Sequence, residues 1–273
     1  MSNDVFEFVE GDRPILISMP HNGIQIPQNL LPLMTESAKV MVDTDWYLDQ
    51  LYQFAVNDGC YLINPKYSRY VIDLNRPQDD QNLYPGQDTT ELCPTTQFDK
   101  QPIYQFGKEP SDLDIGERVE KFWQPYHKKL QTTLAQMKKK FGAALLFEAH
   151  SIKSVVPRFF DGKLPDFNFG DYNHNSCSKK LIDQIAGWYP QGYSKVVNGR
   201  FKGGYITRAY GLPKEKIHAI QLELSQATYM DEEKLTYDPS KAEQVHPKLK
   251  EMFEFFYQFT ENYQSEKYKR ENH

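Results

Sequence analysis

The sequence predicts an α/β protein whose central sheet is largely parallel or mixed. Short apolar runs without charge, typical of buried strands, recur along the 273 residues. Segments with apolar residues at helical spacing lie between these runs, and such alternation is typical of α/β folds. The length suits a domain with a sizeable core. We therefore expect a single domain over residues 1–273 with a long loop excursion at about 78–109.

The first half of the chain supplies two strands, a helix and the excursion. An apolar run at 14–19 ends in a Pro-His-Asn-Gly turn and predicts a buried strand. Helical spacing at 46–55, after the helix-start residues Asp-Thr-Asp, predicts a helix. Segments 61–63 and 70–74 are β-type runs. The polar, aperiodic composition of 78–109 predicts the excursion, and loops of this length are usually functional or mobile.

The second half begins with the longest helical pattern, at 112–141. Pro125 lies inside this pattern and should kink or interrupt the helix, because proline lacks the N–H group and clashes with the preceding turn. The remaining elements are expected as follows: a strand at 143–151, a loop at 155–175, a helix at 176–188, a strand with a Gly-rich loop and a helix start at 196–208, a strand at 217–225 and a helix at 240–263.

Composition and charge exclude several classes of protein. The net charge of −5 gives no overall attraction to nucleic acid or to an anionic membrane. No apolar stretch approaches the roughly 20 residues that span a bilayer, and no secretion signal is visible. Cys60, Cys93 and Cys177 are widely spaced and odd in number, which argues against a disulfide framework and a thiolate zinc cluster. We expect a cytoplasmic protein without a nucleic-acid or membrane partner, and leave the oligomeric state open.

The strand at 143–151 carries the most pointed chemical feature. Glu148 and His150 lie two residues apart, so their side chains should project to the same face where the strand leaves the core. Ligand crevices in open α/β sheets lie beyond the carboxyl ends of the strands. His21 and Glu223 belong to two further strands or their ends. The alternative is structural: His150 caps the strand and Glu148 pairs with a lysine.

Two histidines and one carboxylate with an open position form the ligand set of a catalytic zinc site. Such a site also needs a carboxylate outside the ligand set to accept a proton from water. Glu223 lies within an apolar run, where partial desolvation should raise its pKa. No HExxH or HxxE pair is present, so spacing alone predicts the metal only weakly.

A second group of candidates is cationic and lies in loops or at strand ends. Arginine presents a planar fork that binds a carboxylate with two hydrogen bonds, so several arginines near a hydrolytic centre suit a small dianionic substrate. Surface solubility is the alternative. Gly203 and Gly204 lack a P-loop context, and neither Ser151 nor Ser225 lies in a G-x-S-x-G turn. His127 is interpreted as a surface group. The cationic candidates are Arg69, Arg76, Arg200, Lys202 and Arg208.

The segment 69–77, Arg-Tyr-Val-Ile-Asp-Leu-Asn-Arg-Pro, resembles the N-formylglutamate amidohydrolase (deformylase) family. The resemblance extends from about residue 14 to about residue 232. Further matching segments follow in order at 18–23, 43–46, 83–87, 92–96, 148–151, 198–208 and 221–224.

The family is similar in turn to zinc carboxypeptidases and aspartoacylases. The resemblance therefore implies a three-layer α/β/α domain with a mixed, largely parallel sheet and one zinc ion. It places the histidine ligands at His21 and His150. Carboxypeptidase-like enzymes have a glutamate three residues after the first histidine, where this chain has Ile24. The carboxylate ligand is then Asp43 or Asp45, and we favour Asp45.

The resemblance also implies roles for the other polar residues. Glu223 corresponds to the general base and Arg69 to the arginine that polarises the scissile carbonyl. Asn75 and Arg76 correspond to the pair that holds a substrate carboxylate. Glu148 stands where the family often has aspartate, and either carboxylate could hydrogen-bond a ligating imidazole. Arg200 and Arg208 are candidates for the second substrate carboxylate.

The activity implied by the resemblance is zinc-dependent hydrolysis of N-formyl-L-glutamate to formate and L-glutamate, a step of histidine degradation. One alternative is a metallo-carboxypeptidase or an amidase that acts on another N-acyl amino acid or on a cell-wall peptide. Another is a binding protein that kept the fold without zinc.

Overall fold

The computed structural model describes residues 5–271, apart from the side chains of 266, 267 and 269–271. Within this range, seven strands form one mixed sheet in the order β1-β3-β2-β4-β7-β5-β6. The four middle strands are parallel to one another, β1 and β5 are antiparallel to their inner neighbours, and β6 is parallel to β5. The strands are β1 (Phe6–Val9), β2 (Ile15–Ser18), β3 (Tyr61–Pro65), β4 (Ala144–Ile152), β5 (Phe167–Gly170), β6 (Lys195–Val197) and β7 (Ile217–Ser225).

Helices cover both faces of this sheet. Successive side chains of a strand point to opposite faces, so Ile15 and Ile17 pack with α1, α5 and α7, whereas Leu16 packs with α4 and α6. Every residue of β2 and β4 is buried as a result, which explains their continuous apolar runs. The helices are α1 (Leu48–Leu51), α2 (Gln53–Asn57), α3 (Asp112–Arg118), α4 (Gln124–Phe141), α5 (Lys179–Gly187), α6 (Tyr205–Tyr210) and α7 (Pro239–Glu271).

This α/β/α arrangement with a mixed, largely parallel sheet confirms the predicted fold. A separate pair of short strands, β8 (Met230–Asp231) and β9 (Thr236–Tyr237), precedes α7. None of the helices in residues 5–271 is both long and apolar enough to cross a membrane.

The predicted interruption of the 112–141 helix is confirmed. A π-helical turn at Val119–Trp123 separates α3 from α4, and Pro125 lies in the first turn of α4. The π-helical turn runs directly into α4, since the Gln124 N–H donates to the Val119 carbonyl, and the interruption therefore lies immediately before Pro125. Gly142 then ends α4 with a φ of 89°, a left-handed conformation that favours glycine.

Three predicted element types or boundaries were wrong. Segment 70–74 forms turns instead of a strand, and both edges of β3, the strand that precedes it in the chain, are occupied by β1 and β2. Its apolar side chains are buried in turns all the same. The helix expected at 46–55 is divided at Tyr52, and β5 lies within the loop expected at 155–175. Four-residue strands such as β1 and β5 are too short to show a clear alternation.

The excursion at 78–109 contains no helix and no strand beyond isolated bridges. Arg158 ties it to the loop after β4, because its guanidinium donates to Asp88 Oδ1 at 3.0 Å and to the carbonyl of Gln97 at 2.8 Å. The excursion therefore forms a fixed wall beside the carboxyl ends of the central strands.

Candidate metal centre and active-site pocket

Three buried side chains meet at the carboxyl ends of β2 and β4. His21 lies in the turn after β2, Asp45 lies before α1, and His150 lies near the end of β4. One potential ligand atom of each lies within 4.8 Å of the other two. Asp45 Oδ2 is 3.0 Å from Nδ1 of His150 and 3.6 Å from Nδ1 of His21. Two imidazole nitrogens and a carboxylate could bind a metal ion, and this donor set suits zinc.

The outer nitrogen of each histidine faces another carboxylate. Nε2 of His21 lies 2.6 Å from Oδ1 of Asp73, and Nε2 of His150 lies 2.9 Å from Oε1 of Glu148. Carboxylates in these positions fix the orientation and tautomer of metal-ligating histidines and increase their basicity. The expected contact between Glu148 and an imidazole is confirmed. The matching role of Asp73 was not predicted, although Asp73 lies inside the 69–77 motif.

Asp45, and not Asp43, belongs to this group. Besides the two histidines, Asp45 Oδ2 contacts the backbone N–H of Ser151, which donates to it at 3.1 Å. Asp43 turns away and accepts hydrogen bonds from the Tyr70 hydroxyl at 2.6 Å and from the Phe98 N–H at 2.9 Å. Asp43 therefore fixes two neighbouring segments of the chain.

Glu223 lies beside the histidine–aspartate group. Glu223 is on β7, where it pairs in register with His150 of the adjacent strand β4. Its side chain lines a pocket that also includes His21 and His150. Burial raises the pKa of Glu223 to about 8, and the positive charge of His150 opposes this shift without cancelling it. A carboxyl group with a pKa near neutral pH is suited to accept and return a proton.

A pocket extends from this group and is lined by arginines. Arg69 donates to Asp73 Oδ2 at 2.8 Å, and its other terminal nitrogen lies 3.7 Å from Asp45 Oδ1. Arg76 and Arg200 also line the pocket, and among the described residues neither has a carboxylate within 4.0 Å. Burial lowers the pKa of Arg200. The pocket thus presents two cations that lack an anionic partner.

Asn75, Arg76 and Arg200 line the pocket, whereas Arg208 does not. The guanidinium of Arg208 donates to the carbonyls of Gly203 and Leu83, both at 2.9 Å. It therefore joins the Gly-rich loop to the excursion.

The Asn75 amide lies 3.0 Å from Nε2 of His150, and its oxygen accepts the N–H of Ile206 at 2.9 Å. This position depends on Gly204, because a Cβ atom there would come within 2.3 Å of the Asn75 amide nitrogen.

The helix at 112–141 holds the segment that carries Arg69, Asp73, Asn75 and Arg76. Three of its side chains hydrogen-bond carbonyls of that segment, which has no regular secondary structure. Arg118 donates to the Val71 carbonyl at 3.0 Å, Trp123 donates to the Arg76 carbonyl at 2.8 Å, and His127 donates to the Leu74 carbonyl at 2.8 Å.

His127 was therefore wrongly assigned to the surface. It is buried, it stacks on Trp123 at a centroid distance of 3.7 Å, and burial lowers its pKa to about 3. The neutral imidazole donates through Nε2 to a carbonyl. Only the regular spacing of Trp123 and His127 on one helix face could have pointed to this arrangement.

The fold and this pocket place the protein among the α/β proteins that carry a candidate metal centre at the carboxyl ends of parallel strands. Residues 13–230 match the sequence model of the N-formylglutamate amidohydrolase family. The chain belongs to this family, and the resemblance seen in its motifs is confirmed.

Two relatives agree with this assignment, and a solved structure agrees with the fold. The chain is 46% identical over 253 residues to the N-formylglutamate deformylase of Pseudomonas putida, covering 92% of this chain and 94% of that protein. It is 44% identical over 255 residues to the N-formylglutamate deformylase of Pseudomonas aeruginosa PAO1, covering 92% and 96%. The crystal structure of N-formylglutamate amidohydrolase from Ralstonia eutropha JMP134 matches with a TM-score of 0.78 and 21% identity, covering 95% of this chain and 98% of that one. At this identity the structural match concerns the fold.

Proposed function

We propose that the protein is a cytoplasmic, zinc-dependent amidohydrolase that cleaves N-formyl-L-glutamate to formate and L-glutamate in histidine degradation. The observation that carries this proposal is a single pocket that joins the His21–Asp45–His150 group to two arginines without anionic partners. The family membership and the names of the two Pseudomonas relatives support the same substrate. The proposal treats residues 1–273 as one domain.

His21, Asp45 and His150 would hold the zinc ion, which when bound supplies a Lewis acid for the carbonyl and lowers the pKa of water. Glu223 accepts a proton from the attacking water as the oxygen adds to the formyl carbon. It then donates this proton to the glutamate nitrogen as the C–N bond breaks, so one carboxyl group serves both steps. Its pKa of about 8 keeps both protonation states accessible near neutral pH.

Arg69 stabilises the negative charge that develops on the formyl oxygen. Its ion pair with Asp73 fixes the guanidinium beside the histidine–aspartate group before the substrate arrives. A preorganised donor of this kind contributes roughly 3–4 kcal/mol to stabilisation of the transition state.

Asn75 and Arg76 bind one carboxylate of the substrate, and Arg200 binds the other. Both guanidinium groups are partly buried and lack an anionic partner among the described residues, so a dicarboxylate would compensate both arginines at once. Arg208, the other sequence-based candidate for the second carboxylate, holds the loop that carries Gly203 and Gly204 instead.

The substrate assignment is tested by formate release from N-formyl-L-glutamate and from N-formyl-L-glutamine, which has the same shape without the second charge. We expect kcat/KM to be roughly 30-fold or more lower for the glutamine compound, because one arginine would remain unpaired in the complex. Equal rates on the two compounds, or faster cleavage of dipeptides, would favour the carboxypeptidase or amidase alternative. Binding without any formate release would favour a binding protein.

We expect Trp123→Phe to raise KM for N-formyl-L-glutamate about fivefold with a smaller effect on kcat. The substitution keeps an aromatic ring at this position and removes the donor to the Arg76 carbonyl, a contact worth about 1 kcal/mol. Steady-state kinetics measure this change. Trp188→Phe is the matched control, because Trp188 donates to Glu251 in the opposite helical layer. Equal KM values in the two variants would contradict a positioning role for Trp123.

A further inference from the structure

We propose that the Phe98 ring closes a second cavity next to the reaction centre and thereby restricts the acyl group of the substrate to formyl. This inference rests on the proposed function and concerns its selectivity. Phe98 belongs to the excursion at 78–109, which carries no residue assigned to the chemistry above.

The second cavity adjoins the active-site pocket. It has a volume of about 260 Å³, and it shares Phe98, Ser151 and Ile152 with the pocket. Much of its remaining lining is apolar and includes Val155, Val156 and Pro157. Phe98 is therefore part of a wall between a polar reaction site and a largely apolar space.

The second cavity lies on the acyl side of the site. The proposed carboxylate-binding residues Asn75, Arg76 and Arg200 line the first pocket, and they do not line the second cavity. The shared residues Ser151 and Ile152 directly follow His150 along β4. An acyl chain longer than formyl extends from the carbonyl carbon away from the amino-acid portion, and this cavity is the space in that direction.

The Phe98 ring is held in place by contacts on several sides. Its backbone N–H donates to the Asp43 carboxylate at 2.9 Å. Its ring packs edge-on against Phe159 at 4.8 Å, and Cζ of Arg69 lies 4.9 Å from its centroid. Because Arg69 is the proposed donor to the carbonyl oxygen, the ring stands close to the carbon that is attacked. Formyl carries only hydrogen there, whereas acetyl carries a methyl group that would meet the ring.

The test compares kcat/KM for N-formyl-, N-acetyl- and N-propionyl-L-glutamate in the full-length protein. In Phe98→Ala, the ratio of acetyl or propionyl to formyl hydrolysis should rise roughly 10- to 200-fold, the range expected for adding or removing one methylene-sized contact. The ratio is the informative quantity, since losing the ring contact with Arg69 affects all three substrates. Phe106→Ala is the matched control, because Phe106 lies in the same excursion with its ring fully exposed.

A second variant tests whether filling the opened space restores the selectivity. In the Phe98→Ala background, Val156→Phe should occupy the opened space and restore the preference for formyl. Should Phe98→Ala fail to fold, Phe98→Leu carries the same comparison with a smaller expected change.

An unchanged acyl ratio in a folded variant with normal metal content would overturn the inference. So would wild-type protein that hydrolyses N-acetyl-L-glutamate as fast as the formyl compound. Absence of formate release by the wild-type protein would instead refute the proposed function, so the two failures are distinguishable.

Discussion

Glu223→Gln is expected to lower kcat for formate release by about 10²- to 10⁴-fold, the usual contribution of a positioned acid–base group. The amide has nearly the same shape as the carboxyl group, but it can neither accept the proton of the attacking water nor return one to the leaving nitrogen. Zinc binding should stay normal, because Glu223 lies outside the His21–Asp45–His150 group. Kinetics and metal analysis on one preparation measure both quantities.

Glu243→Gln is the matched control for this experiment, since Glu243 is exposed on α7. Its kinetics should equal those of the wild-type protein. Near-normal turnover by Glu223→Gln would exclude Glu223 as the proton carrier. Glu148 would then be the next carboxylate to examine, because its Oε1 lies 2.9 Å from Nε2 of His150.

Asp45→Asn should reduce zinc affinity by more than about 100-fold and abolish activity at limiting zinc. Loss of an outer partner of a ligand already costs 10- to 100-fold, and loss of the ligand charge itself should cost more. Titration of metal-free protein with zinc, followed by formate release, measures the effect.

Asp43→Asn is the informative comparison, because the two aspartates are two residues apart and both are buried. An asparagine oxygen can still accept the hydrogen bonds from Tyr70 and Phe98, so this variant should bind zinc normally. Loss of zinc by Asp43→Asn, with retention of zinc by Asp45→Asn, would show that Asp43 is the ligand and Asp45 is not.

Sequence periodicity predicted those parts of the site that lie on central strands. Glu148 and His150 share a face because strand side chains alternate, and the structure places them in contact. His21 joins them because the carboxyl ends of parallel strands meet at one edge of the sheet. The choice between Asp43 and Asp45 depended on family resemblance, since both precede the same helix and spacing favours neither.

Periodicity failed where contacts come from irregular segments. The β-type pattern at 70–74 reflected burial in turns, so Asp73 was not recognised as the partner of His21. The hydrogen bonds from Trp123 and His127 join residues 47 and 53 positions apart, a separation that local patterns do not encode. Arg208 shows the opposite error, in which a structural residue is predicted to bind substrate. Its guanidinium lies in a loop near the site but donates to backbone carbonyls.

The most direct test of the central proposal is formate release from N-formyl-L-glutamate before and after removal of metal from the purified protein. The expected result is loss of activity on chelation and recovery when one equivalent of zinc per chain is restored. His150→Ala should show neither activity nor recovery under the same conditions. Undiminished formate release by metal-free protein would contradict a metal-dependent reaction at His21, Asp45 and His150.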